Sequence, residues 1–293
     1  MSCRQKLVAF PSIWTLLRLL GLALAGTSFA AVPAAARPAG TAIRIALVSD
    51  THTTRGTAED QPLYRGRFER VIAAVNAAKV DLVLVAGDLT QNGTAEELKD
   101  FKALARGFTA PVHCVPGNHD VGPKVLPGKP DAPSLELIAS FERELGATFF
   151  ARTTAGLRVI GINSPVLGSG LPVEREMWKL LEAELARPGA LPTVVLQHYP
   201  LFVKSADEPG GVYWNVEPAP RRRLLELLQR GGVRTVLTGH LHRPISNRYA
   251  GILFVSTLPV SFGLPRGEQQ QGWTLVTLRP SAEAEFEFRT VND

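Results

Sequence analysis

The sequence predicts an α/β fold in which a largely parallel sheet is covered by helices on both faces. Short runs rich in β-branched residues alternate with stretches whose apolar residues recur every three or four positions. This alternation is typical of βαβ units, whose strands are buried on both faces. The 293 residues are 45% hydrophobic and 20% charged, which is ordinary for a globular chain with a sizeable core.

Six strands are expected before the C-terminal region, at 43–48, 81–87, 112–115, 157–162, 193–197 and 235–239. Helical periodicity lies between them, at 65–78, 94–108, 174–186 and 221–232. Three later apolar runs, GILFVST, GWTLVTL and EAEFEFR, have no helix between them. We therefore expect the C-terminal region to form hairpins or a second sheet.

Residues 1–30 have the features of a secretory signal peptide, followed by a Pro/Ala-rich linker at 31–41. Basic residues precede the apolar run LLGLALAGTSFA, and Ser28-Phe29-Ala30 supplies small residues for cleavage. The run is short for a membrane span. We expect a secreted or periplasmic protein, with an uncleaved membrane anchor as the alternative because only Arg18 interrupts the stretch 16–31.

The overall charge gives no support for nucleic-acid binding. The net charge is +5, and it falls to +2 without Arg4, Lys6 and Arg18 of the N-terminal segment. Export would leave Cys114 as the single cysteine of the mature chain, which excludes an intrachain disulfide.

Five of the six histidines follow predicted strands, together with carboxylates and one asparagine. In open α/β sheets, ligands bind beyond the carboxyl ends of the strands. The sixth histidine, His113, falls inside a strand and is expected to be structural. The polar residues at the strand ends are Asp50, His52, Asp88, Asn118, His119, Asp120, His198, His240 and His242.

Each of these short motifs alone is also typical of a turn or a helix cap. Together they offer imidazole, carboxylate and amide donors, a mixture that suits transition metals. The donors are too many for a single tetrahedral ion. The sequence therefore predicts a pair of metal ions, an arrangement that in enzymes acts on phosphoryl groups.

The ordered set Asp50-x-His52, Gly87-Asp88, Gly117-Asn118-His119-Asp120, His198 and Gly239-His240-x-His242 resembles the signature of the calcineurin-like metallophosphoesterases. The match extends over about residues 43–260. It implies a four-layer α/β/β/α sandwich, with two mixed sheets flanked by helices, and a catalytic domain at 42–293.

The resemblance also implies a role for each residue. Asp50, His52 and His242 would hold one divalent ion (Mn, Fe or Zn). Asn118, His198 and His240 would hold a second, and Asp88 would bridge them. A hydroxide between the ions would attack a small phosphodiester or phosphomonoester. His119 would stabilise the transition state or protonate the leaving group, with its imidazole oriented by Asp120.

Departures from known subfamilies leave the substrate open. Asn92 stands where protein serine/threonine phosphatases carry a phosphate-binding Arg, and Gln91 where purple acid phosphatases place a Tyr ligand. GDLTQNGTAEEL and VPGNHD resemble bacterial class III cyclic-nucleotide phosphodiesterases, whereas LQHYPLFVKSADEP and GHLHRP equally resemble broad bacterial phosphatases. A phosphoprotein substrate, or a non-catalytic metal-dependent scaffold, is the alternative.

A Gly- and Pro-rich segment between His198 and His240 is expected to form a loop over the metals and to contact substrate. Lys204 would supply charge, and Tyr213 or Trp214 an aromatic face. The alternative is that Trp214 only packs this loop onto the body of the protein. A second candidate rim is the stretch 53–67.

Overall fold

The computed structural model describes residues 41–57, 59–187, 189, 191–279 and 284–292. The expected signal peptide and all but the last residue of the expected linker lie outside these residues. Within the described chain, every helix is too short or too polar to cross a bilayer.

The order of elements confirms the alternation of strands and helices. The strands are β1 (Ile43–Val48), β2 (Leu82–Ala86), β3 (Val112–Val115), β4 (Phe150–Thr154), β5 (Leu157–Gly161), β6 (Thr193–Leu196), β7 (Thr235–Thr238), β8 (Ile245–Tyr249), β9 (Ile252–Ser256), β10 (Gly272–Leu278) and β11 (Glu285–Thr290). The α-helices are α1 (Asp60–Ala77), α2 (Ala95–Ala105), α3 (Asn118–Val121), α4 (Leu135–Leu145), α5 (Pro172–Leu185) and α6 (Pro218–Arg230), and Ser164–Val166 forms a 3-10 turn.

The strands form two mixed sheets, as the resemblance implied. The first has the order β11-β10-β1-β2-β3 and the second β4-β5-β6-β7-β9-β8. In the first sheet β1, β2 and β3 are parallel, and β10 and β11 extend it antiparallel on the other side of β1. In the second sheet the four central strands are parallel, and the edge strands β4 and β8 pair antiparallel. The C-terminal strands do form antiparallel pairs, but these complete both sheets: β9 lies beside β7, and β10 beside β1.

Alternate residues of the central strands face different layers. Ile45 and Leu47 of β1 belong to an apolar layer that they share with residues of the second sheet such as Leu196. Their neighbours Ala46 and Val48 pack in the larger core that contains the helices. This period-two pattern lets each sheet bury one face against the other sheet and one against helices, which produces the four layers.

The sequence did not lead us to predict strands β4 and β8 or helix α4. β4 and β8 are edge strands of the second sheet, and their residues are mostly half-buried or exposed. They lack an apolar pattern because pairing with a neighbour, not burial, stabilises them. Helix α4 buries Ile138, Phe141 and Leu145 at helical spacing, so its pattern was present in the sequence.

The two sheets are joined at the carboxyl ends of their central strands. The Nδ1 atom of His198, after β6, lies 2.7 Å from the carbonyl oxygen of Ala86, the last residue of β2. The backbone N–H of Val260, beyond β9, donates to the carbonyl of Ser49 after β1 at 3.0 Å. Residues that follow strands of different sheets therefore come into contact at this end of the sandwich.

Candidate metal centre

The turns that follow the strands place five polar residues in the left-handed backbone region. Their φ angles are 55° at Asp50, 44° at His52, 47° at Asp88, 69° at His240 and 51° at His242. Left-handed conformations are uncommon outside glycine, although Asp and His adopt them more readily than most residues. Such strain is characteristic of functional sites, where the surrounding structure holds it in place.

Cross-strand hydrogen bonds hold these turns against one another. The N–H groups of Asp50 and His52 donate to the carbonyls of Gly87 and Asp88, each at 3.0 Å. Gly239 donates to the carbonyl of His198 at 3.1 Å. The turn after β1 is thus bonded to the turn after β2, and the turn after β7 to the turn after β6.

The sequence-predicted ligands fall into two groups with one shared member. Potential ligand atoms of Asp50, His52, Asp88 and His242 lie within 4.8 Å of one another, and so do those of Asp88, His198 and His240. Asp88 Oδ2 is 3.7 Å from Nε2 of His52 and 3.2 Å from Nε2 of His198. The Asp88 carboxylate therefore stands between the two groups.

Asn118 completes the second group. Its Oδ1 lies 3.1 Å from Nε2 of His198, and the nitrogen of the same amide donates to the hydroxyl of Tyr213 at 3.1 Å. An amide oxygen thus lies beside the imidazoles and the shared carboxylate of this group.

The hydrogen bonds of the imidazoles leave one ring nitrogen of each directed into the cluster. A carbonyl oxygen can only accept, so the ring nitrogen facing it carries the proton. The side-chain oxygen of Gln91 lies 2.9 Å from Nδ1 of His52. The backbone oxygens of Ala86 and Phe262 lie 2.7 and 2.6 Å from Nδ1 of His198 and of His242, respectively. The backbone oxygen of Tyr213 lies 3.3 Å from Nε2 of His240.

The remaining ring nitrogens approach one another in pairs. Nε2 of His52 is 3.2 Å from Nε2 of His242, and Nδ1 of His240 is 3.2 Å from Nε2 of His198. Oδ1 of Asp50 is buried and accepts no hydrogen bond from the described residues. Converging lone pairs and an unsatisfied buried carboxylate oxygen fit the requirements of divalent transition metals, and the outer carbonyls set the ligand tautomers.

The electrostatics of the cluster agree with this fit. Burial lowers the pKa of His52 and of His240 well below the ordinary value, which keeps both imidazoles neutral. Burial also lowers the pKa of His198, but the carboxylates of Asp88 and Asp50 outweigh it and raise that pKa to about 9. At neutral pH Nε2 of His198 therefore carries a proton, and the negative potential of the two carboxylates that holds it would equally stabilise a metal ion that displaces this proton.

Glycine is required where these turns approach most closely. A Cβ atom on Gly87, whose φ is 83°, would lie 2.7 Å from Nδ1 of His198. A Cβ atom on Gly239 would collide with the side chain of Ser49. Both positions exclude other residues because the strand ends of the two sheets are in direct contact there.

His119 lies at the edge of the cluster. Its backbone N–H donates to Oδ1 of Asp88 at 2.9 Å, and its ring lies edge-on to that of His52, with centroids 4.6 Å apart. Its Nδ1 is 2.7 Å from the carbonyl oxygen of Gln91. This contact orients the imidazole, and Nε2 makes no hydrogen bond with the described residues.

Asp120 does not make the contact with His119 that we expected. Its carboxylate accepts hydrogen bonds from the backbone of Leu89, Thr90 and Gly117 and from the Thr90 hydroxyl, at 2.7–3.0 Å. Burial and the charge of Asp88 raise the pKa of Asp120 to about 6. Because these donors come from both turns, Asp120 connects the turn after β2 to the turn after β3. The carbonyl of Gln91 orients His119 instead.

Sequence reasoning missed Gln91 as a site residue. Its side-chain oxygen holds His52 and its backbone oxygen holds His119. Its position three residues after Asp88 was the available signal, because that position carries a metal ligand in purple acid phosphatases. The carbonyls of Ala86 and Phe262 had no signal, since every residue carries a carbonyl group.

The three residues expected to contact substrate lie at different distances from the ligand cluster. Tyr213 lies against the cluster, with its ring centroid 4.7 Å from that of His240. Trp214 packs edge-on against Tyr213 and is 44% exposed. Lys204 is exposed and lines a neighbouring cavity together with Trp214. Burial and the charge of Asp88 raise the pKa of Tyr213 to about 12, so its hydroxyl stays protonated at neutral pH.

The second candidate rim is shorter than expected because α1 begins at Asp60. Arg55 pairs with Asp100 of α2 at 2.7 Å, and Arg65 pairs with Glu69 one helical turn away. Asn92 donates to Glu97 of α2 through both its backbone and its side chain. These contacts direct the side chains toward α2 or solvent.

Comparison with known proteins identifies the family. The sequence model of the calcineurin-like phosphoesterase family matches residues 43–244. The chain belongs to this family. The matched range includes every ligand candidate described above, from Asp50 to His242.

Several relatives carry names that point to phosphoester chemistry. The chain is 26% identical to the human serine/threonine-protein phosphatase CPPED1 over 213 residues, which cover 68% of this chain and 65% of that protein. It is 28% identical over 251 residues to a probable cyclic nucleotide phosphodiesterase of Rhodococcus erythropolis, covering 78% and 77% of the two chains. The chain thus spans slightly less than two thirds of the length of human CPPED1.

A solved structure shows the same fold. The purple acid phosphatase PPD1 from yellow lupin seeds superposes with a TM-score of 0.59, covering 86% of this chain and 52% of that one. The sequence identity is 17%, so the likeness concerns the fold alone.

We predict that Asp120→Asn lowers the free energy of unfolding by about 2 kcal/mol or more, because its NH₂ group would face two of the four donors and leave them buried without an acceptor. Urea unfolding measures the change. The exposed Asp131 provides a control, and Asp131→Asn should stay within about 0.5 kcal/mol. Equal midpoints for the two variants would show that these hydrogen bonds do not hold the turns together.

Proposed function

We propose that this chain is a dinuclear metal-dependent phosphoester hydrolase acting on small phosphodiesters or phosphomonoesters. The observation that carries the proposal is the sharing of Asp88 by two groups of ligand atoms. Two-metal sites in which one carboxylate joins both ions are suited to in-line displacement at phosphorus. The family membership and the names of the relatives support the same chemistry.

In this proposal Asp50, His52 and His242 would hold one ion, and Asn118, His198 and His240 would hold the other. Asp88 would be the ligand that the two ions share. Mn²⁺, Fe²⁺ and Zn²⁺ all suit these donors. When bound, the two ions would supply Lewis-acid stabilisation of the phosphoryl oxygens and activation of the attacking water.

His119 is proposed to protonate the leaving oxygen or to stabilise its developing charge. The Gln91 carbonyl fixes a proton on Nδ1 of this imidazole, so Nε2 is the atom that exchanges a proton with the leaving group. His119 is partly accessible, whereas the neighbouring His52 is fully buried. A substrate can therefore reach His119.

Two alternatives have less support. A non-catalytic metal-dependent scaffold would use the same ligands, but it would not need a partly accessible His119 whose imidazole is oriented by the Gln91 carbonyl. A phosphoprotein substrate is suggested by the name of CPPED1. However, the position of the phosphate-binding Arg is occupied by Asn92, which is engaged with Glu97.

We predict that Asp88→Ala releases at least one of two bound ions and abolishes phosphoester hydrolysis, because it removes the shared ligand. Metal content after dialysis gives the stoichiometry. Activity should be assayed on nitrophenyl monoesters and diesters, cyclic nucleotides and a phosphopeptide, with Mn²⁺, Fe²⁺ or Zn²⁺.

The control is Asp131→Ala, at an exposed carboxylate, which should retain both the ions and the activity. If the native protein hydrolyses none of these esters with any of the metals, the enzymatic proposal is wrong. Turnover of the phosphopeptide alone would favour the phosphoprotein alternative.

A cavity beside the cluster is proposed to bind the organic part of the ester. It has a volume of about 270 Å³, and its lining includes Val212, Trp214, Lys204 and Arg243. Trp214 stands between this cavity and the cluster, since its ring centroid is 6.1 Å from that of His240. The lining also contains the Glu208 carboxylate, which offsets one of the two cations, so the apolar wall is the feature that selects the leaving group and favours a ring or an alkyl chain.

We predict that Trp214→Ala lowers kcat/KM for an aryl or nucleotide ester by about tenfold relative to a methyl ester, because it removes the apolar wall. The exposed Tyr249, on β8, supplies the control variant Tyr249→Phe. An unchanged ratio of kcat/KM between the two esters would show that Trp214 only packs the loop onto the body.

We also propose that the protein is exported, on the strength of the N-terminal sequence. The predicted cleavage after Ala30 would give a mature chain that begins at Ala31. Expression of the full chain in a bacterial host, followed by intact-mass measurement of the periplasmic fraction, tests this. Recovery of the uncleaved mass in the membrane fraction would instead support an N-terminal anchor.

A further inference from the structure

Tyr213 contacts two of the ligand candidates at once, through different groups. Its hydroxyl accepts a hydrogen bond from Nδ2 of Asn118 at 3.1 Å. Its backbone carbonyl lies 3.3 Å from Nε2 of His240, and its ring packs against the same imidazole. Both of these ligand candidates belong to the second group.

Each contact has a defined consequence for metal binding. The carbonyl places the imidazole proton of His240 on Nε2, so that Nδ1 is the ligating atom. The hydroxyl holds the amide nitrogen of Asn118 away from the cluster, which leaves Oδ1 beside His198. Of the two polar atoms of this amide, only the oxygen has a lone pair to offer a cation.

The position of Tyr213 depends on a network of charged groups beneath its loop. The Glu208 carboxylate accepts hydrogen bonds from the backbone of Val203 and Ser205 at 2.8 and 3.1 Å and from the Asn215 side chain at 2.6 Å. Lys124, which is 2% exposed, donates to the Asn215 carbonyl and to Glu217.

Tyr213 is tied on both sides by this network. Glu217 also accepts the N–H of Gly211 at 2.9 Å. Residues two positions before and two positions after Tyr213 are therefore fixed to the same group of charges. The loop presents Tyr213 in a defined place although 39% of the residue is exposed.

We propose that Tyr213 is a positioning residue that fixes Asn118 and His240 as ligands of the second ion. This assignment rests on the dinuclear site proposed above, and it replaces the expectation that Tyr213 contacts substrate. The first ion, held by Asp50, His52 and His242, has no such dependence, because none of these residues contacts Tyr213 in the described structure.

The test is Tyr213→Phe, which removes the hydroxyl and keeps the ring and the carbonyl. Calorimetric titration of the full chain with Mn²⁺ should show the affinity for one ion reduced by about 10- to 100-fold and that for the other unchanged. The EPR spectrum of the protein with two equivalents of Mn²⁺ should change from mainly that of a coupled pair to mainly that of a single bound ion. The control Tyr249→Phe should behave as the native protein.

A double-variant comparison separates orientation of the amide from packing of the loop. In an Asn118→Asp background either side-chain oxygen can ligate, so adding Tyr213→Phe should have a smaller effect on the affinity than it has with Asn118. An equal effect in both backgrounds, or no effect of Tyr213→Phe on either ion, would overturn the inference. A native protein that binds fewer than two ions would instead contradict the proposed dinuclear site.

Discussion

The carboxylate of Asp88 is the group on which the arrangement of the site depends. It is buried between imidazoles of both sheets, and its Oδ1 accepts the N–H of His119. A buried carboxylate is costly unless nearby donors and positive charge compensate for its lost hydration. The His198 imidazole counters the effect of burial, and the pKa of Asp88 falls well below its ordinary value.

The close packing around the buried Asp88 carboxylate restricts the conformation of the neighbouring backbone. A Cβ atom on Gly117 would collide with Asp88, and Asp88 itself adopts a left-handed conformation. Left-handed geometry costs roughly 1 kcal/mol per residue outside glycine. Cross-strand hydrogen bonds from Asp50 and His52 to the turn after β2 maintain this strain. The rigidity of the two sheets thus supports a local geometry that an isolated turn would not keep.

The two halves of the cluster differ in charge and in support. The first offers Asp50 in addition to the shared carboxylate, whereas the second offers the neutral amide of Asn118. We expect the second half to attract a cation less strongly, because an amide oxygen carries only a partial charge. This weaker half is also the one that depends on a loop, through Tyr213, and not only on the strand ends. The substrate binding proposed for the neighbouring cavity and the retention of the proposed second ion would therefore involve the same loop.

The sequence by itself determined the α/β class, the order of the central strands along the chain and the set of candidate ligands. It did so because buried strands need apolar runs and metal ligands must be particular residue types. The edge strands β4 and β8 could not be predicted from the sequence. They are stabilised by pairing with a neighbouring strand, so their residues show little apolar pattern.

Only the tertiary structure decided how the candidates are used. It showed that Asp120 holds two turns together without a hydrogen bond to the His119 imidazole, whereas the family resemblance already implied that His240 and His242 belong to different groups. It also revealed the carbonyls of Ala86, Gln91 and Phe262 as the groups that set the imidazole tautomers. Every residue carries a carbonyl, so its role follows from the position of the backbone in space and leaves no trace in the sequence.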